Sequence, residues 1–518
     1  MGDPCYLYHV FIRKKQNKSG STSIQVLEKR NGKNQLLKSI GCSSDPLEIQ
    51  DLVNLAEDFI VDRKAQLSLL LHESKRTTDW FSMTFSSIQG IRLQGPELVL
   101  GKIFDEIGFN KIPSIIFRHL VISRLIFPFS KLKTARYLSE YEAKEYSVDK
   151  IYRYLDLLYE KQKETIEQIS YEHTLEILGG EISMVFYDVT TIYFESDKED
   201  DLRKTGFSKE GKHMHPQILL GLLVSNGGYP LAYEVFEGNK YEGHTMLPVA
   251  NEFKKRFNIE KIIIIADAGL LTKNNITSLQ NDGYEFILGA RIKSESKEIK
   301  EQILNLKFED NLPKVLKKEN GLRLVVSYSE KRAKKDKHNR KKGLSRLEKK
   351  VAKGKLTKSQ INNRGYNKYL TMDGQLSVKI DYEKFKQDAK WDGLKGYVSN
   401  TKLSPNLIIQ NYRELWKIEK AFRISKTDLK IRPIYHRLER RIKSHICLSF
   451  AAYKVYKELE RQLLQKKVPF SVERSIELLK TIYGITLQHP ATKKVKLMTY
   501  TNTEDQEILL KYFGIENG

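Results

Sequence analysis

One carboxylate inside a run of apolar, strand-forming residues constrains this chain more than any other feature. The run is Met184-Val-Phe-Tyr-Asp188-Val-Thr190. A charge in such a setting is costly unless it is paired or bound to metal. The surrounding segment, Ile182–Phe194, is rich in Val, Ile, Phe and Tyr and reads as a strand. Two more strands follow over Gln217–Val224 and Tyr229–Phe236, joined by the hairpin turn signal Asn226-Gly227-Gly228. Lys261–Ala266 is a continuous apolar strand of the kind buried on both faces, and it ends on Asp267. The spacing predicts a helix over Asn274–Asp282 and a strand over Tyr284–Ala290. Three strands followed by alternating helix and strand imply a mixed α/β sheet. Functional groups in open α/β sheets collect at the carboxyl ends of strands, where Asp267 stands.

The flanking segments carry other patterns. Residues 5–43 alternate apolar and polar, as at Tyr6, Tyr8, Val10 and Ile12, with turns at Asn17–Ser21 and Asn31–Asn34, and predict a small antiparallel sheet. A helix over 46–73 starts at Ser44, Asp45 and Pro46. Residues 95–178 have helical spacing throughout, punctuated by Pro113 and Pro128. Their basic residues Arg118, Arg124, Lys131, Lys133 and Arg136 fit either a helix-turn-helix-like DNA reader or a plain scaffold. Residues 291–400 interrupt the sheet pattern with two strand-like pieces, Leu322–Ser327 and Gly393–Ser399, around a basic stretch. Lys331–Lys358 holds fourteen Lys and Arg against two acids, a net +12 of the chain's +24. That stretch, with Lys341, Lys342 and Arg346, reads as a phosphate-binding arm rather than a merely solvated face. Residues 405–466 return to helix. Tyr412–Lys426 forms one helix, with Glu419 on or beside its apolar face, and Ile442–Tyr453 lies on a second. One more helix is expected over 471–483, with a frayed end after Pro490.

The balance of 89 Lys and Arg against 65 Asp and Glu, with a pI near 9.5, points to a polyanionic partner. An anionic membrane is set aside, because no stretch approaches the 18 apolar residues or so of a spanning helix. The N-terminus has no signal-peptide pattern. Cys5, Cys42 and Cys447 are too few and too scattered for a disulfide framework or a cysteine zinc site. A cytoplasmic, nucleoid-associated setting is expected.

Asp188, Asp267 and Glu419 are separated by 79 and 152 residues. Carboxylates from two strands and a helix can converge to hold two Mg²⁺ ions, which favour hard oxygen ligands. Taken singly, an aspartate at a strand end is more often a cap, and a glutamate on a helix is usually at the surface. The segment Tyr412-Arg-Glu-Leu-Trp-Lys-Ile-Glu419-Lys-Ala-Phe-Arg-Ile-Ser-Lys426 resembles the tyrosine–arginine–glutamate–lysine signature of DDE transposases in the insertion-sequence-four superfamily. Further stretches resemble one long-chain branch of it: Tyr187–Thr191, Gly238-Asn239 with Glu242 and Thr245, Asp267-Ala-Gly269, Arg124–Lys131, Leu429–His436 and His445.

That resemblance implies an α/β architecture: an RNase H-like catalytic core interrupted by a basic, partly β insertion, with an N-terminal small β-sheet and helical segments. The expected divisions are 1–94 (sheet plus helix, at the DNA end), 95–180 (helical, DNA-recognising), 181–290 (first part of the core), 291–400 (basic insertion), 401–466 (second part, with the catalytic helix) and 467–518 (C-terminal helical region). Asp188, Asp267 and Glu419 are then the catalytic metal ligands for two Mg²⁺ or Mn²⁺ ions. Tyr412 and Lys426 contact DNA. The partners are double-stranded DNA, both terminal inverted repeats and target, and a second copy of the chain on that DNA. Leu415 stands where the signature has its arginine, and Arg413 or Arg423 are the candidates to replace it. Two other readings stay open: a nuclease of the same fold that hydrolyses without joining, and a non-catalytic DNA-binding descendant.

Overall fold

The computed structural model describes residues 9–30, 32–196, 198–208, 211, 214–270, 272–353, 361–362, 365–373, 377–490 and 492–515. The chain forms two compact units, Met1–Ile91 with Gly484–Met498, and Arg92–Tyr483 with Thr499–Gly518. In the first, β1 (His9–Gln16), β2 (Thr22–Arg30) and β3 (Lys33–Ser43) make an antiparallel sheet. Its inward residues Ile24 and Val26 pack on Val53 and Ala56 of the Pro46–Ser86 helix, whose first turn is capped by Asp45. Tyr6, Tyr8, Cys5 and Asn31 lie outside the described residues. A further strand, β4 (Ile88–Leu93), follows the helix.

The second unit is organised by an eight-stranded mixed sheet. In chain order its strands begin with β5 (Met184–Tyr193), β6 (Gln217–Ser225), β7 (Pro230–Glu237), β8 (Ile263–Ala266) and β9 (Glu285–Ala290). β10 (Lys314–Lys317) and β11 (Arg323–Tyr328) come next, then a separate hairpin of β12 (Leu370–Asp373) and β13 (Ser377–Ile380), then β14 (Leu394–Ser399). The spatial order is β10-β11-β14-β9-β8-β5-β6-β7. β5, β6 and β7 run antiparallel, whereas β8 is parallel to β5 and β9 to β8. Three antiparallel strands with two parallel ones on the far side of the first is the RNase H-like arrangement.

The segment expected as a basic, partly β insertion adds strands to this sheet. β14 pairs antiparallel with β9, and β11 with β14. The outer edge of β9 would otherwise expose a row of unpaired backbone groups. Leu324, Val325, Val326 and Val398 are buried, so the added strands share the core of the others. Residues between β11 and β14 form the hairpin and the Glu330–Ala352 helix, which carries the basic stretch.

Alternation along the strands divides the core in two. Phe186, Ile192, Ile265 and Ile287 face one side. Val185, Tyr187, Ile264, Ala266 and Phe286 face the other, together with buried residues of the Met246–Arg256 helix. The first side is covered by the Pro405–Arg413, Trp416–Thr427 and Glu439–Gln465 helices. The last of these packs against helices Ile115–Ile126, Val148–Lys161 and Lys163–Ile177. The 95–178 helices therefore form the outer layer of the same core. Arg118 is held by Glu97 at 2.6 Å and by Asp105, and Arg124 and Lys131 are buried.

The C-terminal expectation needs correction. After the Val472–Leu479 helix come β15 (Tyr483–Gln488) and β16 (Val495–Tyr500), in a sheet ordered β16-β15-β4. Among the described residues after Pro490, Glu504–Tyr512 is a helix that buries Leu509 and Leu510 and carries a capping box between Thr503 and Gln506. Among the described residues no helix is long and apolar enough to cross a membrane.

Candidate active site

β5 and β8 run side by side in register from Met184 opposite Ile263 to Tyr187 opposite Ala266. Asp188 is the next residue of β5 after Tyr187, and Asp267 is the residue that follows β8. Period-2 alternation puts both on the face of Phe186 and Ile265, the face covered by the helices. Asp188 is half-buried and Asp267 exposed. The backbone N–H of Val189 donates to Asp188 Oδ1 at 2.8 Å.

The helix expected to run unbroken from Tyr412 to Lys426 is two helices. Pro405–Arg413 ends at Glu414, and Trp416–Thr427 begins after Leu415. Across the break the backbone bonds contract to i→i−3, as from Leu415 N to the Tyr412 carbonyl (3.1 Å) and from Ile418 N to the Leu415 carbonyl (3.2 Å). The break needs neither Gly nor Pro, so the sequence holds no local sign of it. Tyr412, on the first helix, is buried and donates its hydroxyl to Asp267 Oδ1 at 2.9 Å. Its ring meets Tyr397 edge-on at 4.9 Å. Gly289 of β9 makes room, because a Cβ there would strike the Tyr412 hydroxyl. Burial, followed by the Asp267 charge, raises the Tyr412 phenol well above its ordinary pKa, so it stays a donor. Tyr412, expected at the DNA, is hydrogen-bonded to Asp267.

Glu419 lies in the first turn of the second helix and is exposed. A carboxylate there is also favoured by the helix dipole alone. Its helix packs on β5 and β6 through Ile418, Ala421 and Phe422. Lys426 is half-buried in the last turn, and Arg413 and Arg423 are exposed. Leu415 is only 8% exposed and belongs to the apolar core.

Sequence reasoning missed Lys395 on β14. Its ammonium stands 4.5 Å from the centre of the Tyr412 ring and 5.6 Å from that of Tyr397. The fields of Asp267 and Glu419 both reach it, as do those of Arg332 and Arg413. Burial, with the two arginines, outweighs the two acids and lowers its pKa. A lone lysine in an otherwise apolar strand is the same kind of signal that marked Asp188. Lys341, Lys342 and Arg346 are exposed on the Glu330–Ala352 helix, while Arg340 is buried in an ion pair with Asp392. Lys355 and Lys358 lie outside the described residues.

Among the described residues no three His, Cys, Asp or Glu side chains are drawn together as closely as a bound ion requires. Asp267 interacts with the Tyr412 hydroxyl and with the charge of Lys395. Tyr412 occupies Oδ1 of that aspartate, whose exposed side faces solvent.

The sheet order and strand directions are RNase H-like. The family model described as a transposase DDE domain matches residues 179–454, more than half of the chain, and the protein belongs to that family: it is a DDE transposase, an enzyme of DNA cleavage and transfer. The chain is similar to piggyBac transposase in its synaptic complex with hairpin DNA (TM-score 0.37, 10% identity, 74% of this chain and 76% of that one). It is also similar to Mos1 transposase in a paired-end complex with the left transposon end (TM-score 0.16, 13% identity, 31% of this chain and 58% of that one). No curated protein matches its sequence.

Proposed function

We propose that the chain cuts the ends of its own mobile element and joins the 3′-hydroxyls to target DNA, using Asp188, Asp267 and Glu419. The observation that carries this reading is the Tyr412 hydroxyl on Asp267, just past the strand that pairs in parallel with the one carrying Asp188. These three carboxylates would hold two Mg²⁺ or Mn²⁺ ions, which supply activation of the attacking oxygen and charge neutralisation at the leaving one. The protein's own groups orient and screen. Tyr412 fixes Asp267, and the dense covering of the sheet face keeps bulk water from one side of the site. Lys395, with Arg413 and Arg332 beside it, offers positive charge to the scissile phosphate, the role Leu415 cannot fill from inside the core. Lys426 would grip DNA near the cut, and Lys341, Lys342 and Arg346 would hold the backbone further out. The Tyr412–Lys426 signature supports membership of the long-chain branch of the insertion-sequence-four superfamily, and with it work as a homodimer on paired terminal repeats.

The test uses DNA carrying the inverted repeats that flank the coding region. Wild type with Mg²⁺ is expected to release 3′-hydroxyl ends and yield joined product. Asp188→Ala is expected to bind the ends normally but cut at least about a hundredfold more slowly. Undiminished cleavage by that variant sinks the assignment. Cleavage by wild type with no joined product points to a nuclease instead.

A further inference from the structure

Two segments that the acid site does not use, Arg124–Lys131 and Leu429–His436, meet and wall a cavity of about 450 Å³. Two of its lining residues, Arg124 and Lys131, are cations only 5% exposed. Lys133, Lys430 and Arg432 add positive charge, and among the described residues no Asp or Glu lines the cavity. His445 donates through Nε2 to the Ile431 carbonyl at 2.9 Å, which leaves its Nδ1 lone pair for Arg124 Nη2 at 3.3 Å. The imidazole therefore orients the guanidinium without neutralising it. Asp156, whose field reaches His436, is engaged by Arg440 and Arg441, both at 2.9 Å. Burial, then the Arg124 charge, pushes the Lys131 ammonium well below its ordinary pKa.

Uncompensated buried cations destabilise a fold unless a counter-charge arrives. Lys131 is also the first residue of the Lys131–Glu142 helix, so that helix turns its positive end to the same space. Arg432 lies 5.2 Å over the ring of Tyr193, which ends β5 five residues beyond Asp188. At the cavity, Tyr435 (71% exposed) and Phe129 (38% exposed) offer rings to a sugar or base.

We propose that this cavity is a second DNA contact, in which a backbone phosphate sits between Arg124 and Lys131, away from the acid site. The inference rests on the reading that Asp188 and Asp267 act on DNA.

Two measurements on the full chain test it. In the first, unfolding midpoints are compared in inorganic phosphate and in chloride at matched ionic strength. Wild type is expected to gain a saturable rise from phosphate, and Lys131→Met to lose it. In the second, binding to a random-sequence duplex is followed against salt. Lys131→Met is expected to bind more weakly and to flatten the logarithmic salt slope by about one. Loss of the phosphate response with an unchanged slope means that the site takes free phosphate, and overturns the DNA assignment. No phosphate response in wild type with an unchanged slope overturns the anion site itself. Should Lys131→Met not fold, Lys131→Gln decides by the same readouts. Neither readout needs cleavage, so an inactive wild type would count against the acid site and leave this result standing.

Discussion

Tyr412 shows how much of the site depends on one contact between residues 145 apart in sequence. Asp188 and Asp267 stand out in the sequence because a charge in or after an apolar strand needs a reason. The roles of Tyr412 and Lys395 beside Asp267 come from strands and helices that only the fold brings together. The hydroxyl removes one degree of freedom from Asp267, and the ring supports the Lys395 ammonium. Tyr412→Phe keeps the buried ring and deletes the hydrogen bond alone. Partners that orient metal ligands typically matter by about 10–100-fold in metal affinity or activity. The variant is therefore expected to fold normally and to need more Mg²⁺ for cleavage, with part of the rate recovered at high metal. A metal titration identical to wild type would show that the hydroxyl does not support Asp267.

At the scale of elements, the sequence was most legible where burial and period agree. β5 to β9 fall within two residues of the stretches read as strands, because each is a short β-branched or aromatic run bounded by turn residues. The break at Glu414–Leu415 was not legible, because it arises from i→i−3 tightening in a segment of good helix formers. Nor was the joining of β11 and β14 to the sheet, since pairing partners are chosen by exposed edges rather than by local pattern. The Glu439–Gln465 helix carries its own consequence. It is buried nearly all round, and Lys454 on it is 0% exposed. The ammonium donates to the Ser170 carbonyl at 3.0 Å and to Thr174 Oγ1 at 2.5 Å, with no carboxylate hydrogen-bonded to it. Burial lowers its pKa from 10.5 to about 7. Between those values the unfolded chain binds the extra proton, so this group's contribution to stability rises with pH from about 7 to 10.5 and is flat below. Urea midpoints across that window are expected to climb for wild type relative to Lys454→Met, and the variant should be the more stable below pH 7. Parallel pH profiles for the two proteins would exclude this account.

For the whole molecule, the question is where a net charge of +24 acts. The Glu330–Ala352 helix concentrates much of it, but its cations are not equivalent. Lys334 pairs with Glu330 at 2.9 Å, and Arg340 turns inward to Asp392 and lies 4.7 Å from the centre of the Phe385 ring. Lys341, Lys342 and Arg346 are exposed. If the helix is an arm for DNA, those three should govern affinity and Arg340 should govern folding. Replacing all three with Gln is expected to flatten the logarithmic salt dependence of duplex binding by up to about 3, close to one unit for each phosphate no longer neutralised. The unfolding midpoint should barely move, since exposed substitutions of this kind usually stay within about 0.5 kcal/mol. Arg340→Gln is expected to do the reverse, costing about 3 kcal/mol through the abandoned Asp392 while leaving the salt slope nearly unchanged. Measured together, the two variants separate charge that holds the protein from charge that holds its substrate. An unchanged slope in the triple variant would mean that the helix is a solvated face, and the remaining positive charge, including the cavity at Arg124 and Lys131, would have to account for binding.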